Sequence, residues 1–201
     1  MVRRTSDPRT LAASLAEGAV ALMRTDTLPG LHCRADHAAA VSRIVALKAR
    51  ADDKPLLVLC DTLDRACGVG TFTSPEANAY AGACWPGPFT LILPATSAAP
   101  AAATRGRADV AIRVPGPLQL RALVAAAGGL LVSTSVNRAG DPPLTSLEDA
   151  IAFCGDEVDI VGDVTWLGDD AASGGVASGL IDLTSWPPRV MRAGCIAPPD
   201  W

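Results

Sequence analysis

Lysine is nearly missing from this sequence. Of its 17 basic residues 15 are arginine, and the two lysines, Lys48 and Lys54, share one stretch, KARADDKP. Aromatic residues are scarce as well, at 4%, so a core has to be built from small and branched aliphatics. No apolar run approaches the length needed to span a bilayer. The N-terminal stretch MVRRTSDPRTLAASLAEG has no apolar segment of signal-peptide length, so the expected location is cytoplasmic. The six cysteines, Cys33, Cys60, Cys67, Cys84, Cys154 and Cys195, form no C-x-x-C pair, and the two histidines, His32 and His37, sit away from most of them. This spacing argues against a zinc site and makes most cysteines small buried hydrophobes. His32–Cys33 remains as a weak metal or nucleophile candidate.

Familiar nucleotide signatures are absent too. There is no G-x-x-x-x-G-K-[ST], no G-x-G-x-x-G after the first strand and no G-x-S-x-G elbow, which removes the P-loop, the dinucleotide fold and the common hydrolase. The net charge of −4 and pI near 5.1 argue against coating nucleic acid by bulk charge, although a local basic groove stays possible. What is present is a globular composition, 49% hydrophobic and 19% charged over 201 residues, which suits one domain.

Apolar periodicity alternates between strands and helices. Ser6 or Asp7 caps a first helix that Pro8 starts and Gly18 stops. AVALM reads as a buried strand, and RTDTLPGL as a loop turning at Pro29-Gly30. Asp36 caps a second helix whose stripe of Val41, Ile44 and Val45 continues to Lys48, placing that lysine where the helix leaves the core. PLLVLC, FTLILP, VAIRVP, LLVSTS, VDIVGD, LIDL and PRVMRAG read as strands. Helices open at Ser74-Pro75 and Ser146 and run through LQLRALVAAAGG. TSAAPAAATRGRAD and WLGDDAASGGVASG read as loops. The pattern implies an α/β fold on one mostly parallel or mixed sheet.

Four polar stretches interrupt or end apolar segments: RTDT, KARADDK, STSVN and RVMRAG. Ligands of open α/β sheets bind at strand ends. Hydroxyls, guanidinium forks and ammonium groups together suit a polyphosphate or a carboxylate. Taken singly, such clusters also make ordinary turns.

Together these stretches resemble the YrdC/TsaC family of threonylcarbamoyl-AMP synthases. The motifs stand in order as RTDTLPGL (24–31), KARADDKP (48–55), WPGPFTLIL (85–93), RVP (113–115), STSVNRAG (133–140), SGLIDL (178–183) and MRAG (191–194), spanning about residues 10 to 195. The resemblance implies a single YrdC-like α/β domain over 1–201, a twisted open mixed sheet flanked by helices with a concave basic groove. It implies that L-threonine, bicarbonate and ATP, with Mg²⁺, give threonylcarbamoyl-AMP and pyrophosphate. The product would pass to a downstream threonylcarbamoyl transferase for N6-threonylcarbamoyladenosine in tRNA, and tRNA or double-stranded RNA is a further implied ligand.

By resemblance Lys48, Arg50 and Lys54 form a catalytic cluster on the phosphates. Thr27, Arg113, Ser133 and Ser178 surround the amino acid and bicarbonate. Arg50, Lys54, Ser135, Asn137 and Arg192 hold ATP. An ammonium on a flexible stem follows a moving phosphate charge better than a rigid guanidinium, which would explain lysine in an arginine-rich chain; chance clustering is the plain alternative. For Arg113 and Arg192 the alternative is a strand-end surface salt bridge. No protein metal ligand is implied, because Mg²⁺ would be held mainly by the phosphates. Where the family has a first-loop aromatic this chain has Pro29; where it has Ala in S-[AT]-S-A-N this chain has Val136, and its later Ser is Ala139. Two other readings remain open: a paralogue that adenylates a different carbamate or carbamoyl group, and a non-catalytic nucleotide- or RNA-binding protein.

Overall fold

The structure, a computed structural model, describes residues 2–48, 56–138, 141–163, 165–167 and 175–201. Its frame is a ten-stranded sheet in the order β1-β8-β2-β3-β7-β4-β6-β5-β9-β10. The strands are β1 (Arg3–Thr5), β2 (Ala21–Arg24), β3 (Pro29–Arg34), β4 (Leu57–Cys60), β5 (Phe89–Pro94), β6 (Asp109–Arg113), β7 (Leu130–Ser135), β8 (Ile160–Gly162), β9 (Gly179–Asp182) and β10 (Arg189–Arg192). Pairing is mixed: β8 runs parallel to β1 and β2, β6 to β4 and β9 to β5, while β3, β7 and β4 are joined antiparallel. The sheet is open, with β1 and β10 at its edges.

Helices cover both faces, and the capping residues explain where they start. In α1 (Pro8–Ala16) the Asp7 carboxylate accepts from the Arg9 and Thr10 amides at 3.1 and 3.2 Å, with Pro8 in the first turn. Asp36 was the expected cap of α2 (Ala38–Leu47), but His37 fills that role, its Nδ1 accepting from the Ala40 amide at 3.2 Å. The reason is competition: Arg34 takes both Asp36 oxygens, at 2.9 and 2.5 Å. Ser74 caps α4 (Pro75–Cys84) and Ser146 caps α7 (Leu147–Cys154) as the sequence implies. The remaining helices are α3 (Leu63–Val69), α5 (Ala101–Thr104) and α6 (Leu118–Ala126). β1 and α3 carry no strong periodic signal, and α5 forms inside the stretch expected to be a loop.

The loop expected over RTDTLPGL is shorter than its motif. Pro29 and Gly30 belong to β3, opposite Arg24 and Met23 of β2, so the turn is Thr25–Leu28. Pro29 is the first residue of the strand, where its missing amide does least harm.

Strand alternation divides the core in two. Leu22, Leu31, Cys33, Val58, Leu91, Ile112, Val132 and Ile181 face α2, α3, α4, α5 and α7. Ala21, Met23, Leu59, Leu131 and Ile160 face α1 and α6, packing on Leu11, Leu15, Leu120, Leu123 and Val124. His32 and Cys33, as neighbours on β3, point to opposite faces and form no paired site. Burial holds the Cys33 thiol up at about 12, which leaves it inert as a nucleophile at neutral pH. No described helix is long and apolar enough to cross a membrane.

Candidate active site

The face carrying α1 and α6 is not covered along its whole length. Beyond those helices it opens into a cavity of about 340 Å³. Register explains the floor: Ser133, Leu57, Ala111 and Ile92 lie side by side across β7, β4, β6 and β5, and Thr90 lies beside Leu180. All point the same way by alternation. Leu57, Ile92, Ala111 and Leu180 supply an apolar base. The rim is polar, with Thr25, Thr27, Thr90, Arg113, Ser133, Thr134, Ser135, Ser178 and Arg192. Among the described residues the lining holds the guanidinium groups of Arg113 and Arg192 and no carboxylate, which favours an anionic ligand.

Arg113 stands at the end of β6 and is 1% exposed. Its Nη2 meets Asp26 Oδ1 at 3.1 Å, and its Nη1 donates to Thr27 Oγ1 at 3.1 Å. Asp26 is itself buried, at 7% exposure, and accepts from the Gly116 amide at 3.4 Å. Burial pulls the Arg113 guanidinium down from its usual range, and the Asp26 charge opposes that. The Nε of Arg113 has no hydrogen-bond partner. The fork is therefore gripped at one end, while its Nε, itself buried, is left without a partner.

The opposite wall is made by the crossing of two chain segments. Arg192 of β10 donates from Nε and Nη2 to the Ser178 carbonyl at 3.2 and 2.9 Å. The Ser178 hydroxyl bonds Thr90 Oγ1 at 2.8 Å. A Cβ at Gly194 would collide with the Gly179 backbone nitrogen, so the glycine of MRAG lets β10 lie close enough for this contact. Burial, then the nearby Arg113 charge, lower the pKa of Arg192. Gly30 serves a similar end across β3 and β7, where a Cβ would stand 2.9 Å from the Thr134 carbonyl and 3.0 Å from His32 Nε2.

The sequence motifs converge here. Thr27, Arg113, Ser133, Ser135, Ser178 and Arg192 all line the cavity, as does Pro29. WPGP docks onto RVP through the Gly87 amide and Val114 carbonyl at 2.9 Å. Lys48 and Asn137 lie outside the lining. Lys48, 4% exposed, instead donates from Nζ to the Ser135 carbonyl at 2.5 Å and to Asn137 Oδ1 at 2.7 Å. Arg50 and Lys54 lie outside the described residues. Two participants went unread. Asp26 sits in the middle of RTDT, and its buried arginine partner is visible only in three dimensions. Thr90 ends the WPGPFT motif, and its hydroxyl meets Ser178 from a strand 88 residues away.

The family model described as "Telomere recombination", Sua5/YciO/YrdC, matches residues 13–194. The chain belongs to this family. Over 157 residues it is 37% identical to the threonylcarbamoyl-AMP synthase of Alkalilimnicola ehrlichii, covering 78% of this chain and 81% of that protein. Among solved structures it resembles Pyrococcus abyssi Sua5 complexed with L-threonine, at a TM-score of 0.83 and 29% identity, over 96% of this chain and 57% of that one. The chain thus spans little more than half of that longer relative. Escherichia coli YciO shares the fold, with a TM-score of 0.79 at 23% identity, over 96% and 94% of the two chains.

Proposed function

We propose that this protein is an L-threonylcarbamoyladenylate synthase, a nucleotidyltransferase that makes threonylcarbamoyl-AMP for tRNA modification. The observation that carries the reading is the cavity itself: motif residues from six chain segments line one pocket, with the guanidinium groups of Arg113 and Arg192 and, among the described residues, no carboxylate. Membership of the family and the synthase relative support it.

The chemistry asks for little acid–base machinery. The amine of threonine takes up bicarbonate to give a carbamate, with loss of water. A carbamate oxygen then attacks the α-phosphorus of ATP, and pyrophosphate leaves. Both anions have to be held together with their charge neutralised, so positioning and electrostatics supply most of the rate. In this assignment the Arg113 guanidinium, oriented by Asp26 and Thr27, faces a substrate carboxylate. Ser133 and Ser178 hold the polar groups of the amino acid beside them. Arg192, Ser135 and Asn137 face the nucleotide, with Arg50 and Lys54 on its phosphates.

Mg²⁺ enters as part of the ATP substrate, bound by phosphate oxygens. The product is passed to a transferase acting on tRNA; tRNA itself is not needed for the adenylation.

One observation favours a second reading. Pro29 lines the cavity where the family motif has an aromatic, so the amino acid accepted could differ from threonine. Both readings meet the same experiment: ATP, Mg²⁺, bicarbonate and each amino acid in turn, with pyrophosphate release measured with and without bicarbonate. Bicarbonate-dependent release with threonine is the expected result. Release with another amino acid supports the paralogue, and silence with all of them removes both.

A further inference from the structure

Lys48 raises a question that its motif does not answer. It is the C-cap of α2, its amide bonded to the Ile44 carbonyl at 3.2 Å, and its side chain runs inward to 4% exposure. The ammonium lies against β7, donating to the Ser135 carbonyl at 2.5 Å and Asn137 Oδ1 at 2.7 Å. These two acceptors are both uncharged. Lys48 does not line the cavity, whereas Ser135 does.

Asn137 is pinned on every side. Its Oδ1 takes a second hydrogen bond from Ser135 Oγ at 2.9 Å, and its Nδ2 donates to the Arg138 and Asp141 carbonyls at 2.9 and 2.8 Å. That pattern leaves one orientation of the amide, oxygen towards Lys48 and nitrogen towards the following turn. Without the ammonium, Asn137 Oδ1 keeps one donor and the Ser135 carbonyl loses the contact from α2. The Ser135 hydroxyl, which reaches the cavity rim, is then free to follow whichever way the amide turns. Hydrogen bonds to a charged donor are among the stronger ones, and a buried ammonium must have its protons accepted to be tolerated.

We infer that Lys48 is a positioning residue, not a phosphate contact: it ties the end of α2 to the end of β7 and fixes Ser135 and Asn137 in the orientation that receives the nucleotide. This inference rests on the ATP-dependent reading above. It gives lysine a different reason to persist in an arginine-rich chain. A compact ammonium with three rotatable donors suits the two neighbouring acceptors, and a planar guanidinium fork does not present its donors in the same way.

The test is a double-mutant cycle on ATP binding by full-length protein, measured by calorimetry, with Lys48→Met, Asn137→Ala and the double variant. Lys48→Gln is added because it keeps an amide donor and removes the charge. Thermal unfolding of each variant checks the fold. The inference expects Lys48→Met and Asn137→Ala each to weaken ATP binding by about 10- to 100-fold. The double variant should be no weaker than the worse single one. Lys48→Gln keeps a donor but loses the charge, so its ATP binding should fall between that of wild type and that of Lys48→Met. Independent phosphate contact predicts the opposite: losses that multiply in the double variant, and Lys48→Gln as damaged as Lys48→Met. Either result overturns the positioning role. Should Lys48→Met not fold, the cycle is run with Lys48→Gln and Asn137→Ala, where the same additivity decides. Wild-type protein that binds no ATP would sink the functional reading and this inference together, whereas ATP binding with an additive cycle sinks the inference alone.

Discussion

Leu59 and Leu57 are two residues apart on β4 and point to the same side of the sheet, yet they live in different surroundings. Leu59 is buried beneath α1 and α6 with Leu131, Met23 and Ile160. Leu57 lies in the cavity floor beside Ser133 and Ala111. The covered half is apolar and close-packed. The uncovered half mixes aliphatic floor with hydroxyls and two guanidinium groups. The alternation of the strands is the same in both, so what separates core from site is where the helices stop. Each half should fail in its own way when altered: loss of stability in the first, loss of substrate in the second.

The largest effect is expected where the two halves meet. Arg113→Met leaves Asp26 buried without its cation, so the variant should lose about 3–5 kcal/mol of stability along with measurable pyrophosphate release. The double variant Arg113→Met/Asp26→Asn should recover most of the stability in chemical denaturation and none of the turnover. Recovery of both would show that Arg113 serves only the fold.

In the covered half, Leu131→Ala should cost about 2–5 kcal/mol with threonine and ATP KM unchanged. Leu57→Ala should cost no more than about 1 kcal/mol but raise the amino-acid KM. Equal stability losses at the two leucines would erase the distinction between the halves.

A smaller effect follows from His32, which is fully buried on β3 with neither ring nitrogen hydrogen-bonded. Burial pushes its pKa down to about 3, opposed by a backbone contact with Met23 and assisted by the Arg113 charge. Between about 6.5 and 3 the unfolded chain therefore binds a proton that the folded protein does not, and stability falls as pH falls through that window. The loss is about 2 kcal/mol between pH 7 and pH 5. Urea unfolding at the two pH values checks it, and His32→Leu should flatten the slope. The smallest change is Thr90→Val, which removes the hydroxyl that holds Ser178 while keeping the shape. It should raise the amino-acid KM by about 2- to 13-fold and cost about 1 kcal/mol of stability, because the buried Ser178 hydroxyl loses its partner.

Much of this arrangement was legible in the sequence. Thr27, Arg113, Ser133, Ser135, Ser178 and Arg192 were named from their motifs and meet in one cavity. The strands that carry them were readable because their apolar runs are strong. The stripe of α2 put Lys48 where the helix leaves the core, and from there its side chain turns inward to 4% exposure. What escaped was set by pairing between distant segments. Asp36 was an obvious cap until Arg34 claimed it, and Asp26 looked like a turn residue because its partner lies 87 positions away. Pro29-Gly30 has the chemistry of a turn, but the hairpin partner β2 extends β3 over it. β1 is only three residues long and mostly exposed, and its partner β8 lies more than 150 residues further along the chain.

The most direct measurement is mass spectrometry of the products after incubation with ATP, Mg²⁺, threonine and ¹³C-bicarbonate. The account predicts an adduct containing threonine, AMP and the labelled carbon from wild-type protein, and its loss in the folded Arg113→Met/Asp26→Asn variant. Pyrophosphate release without labelled adduct, or an adduct formed equally well by that variant, would contradict it.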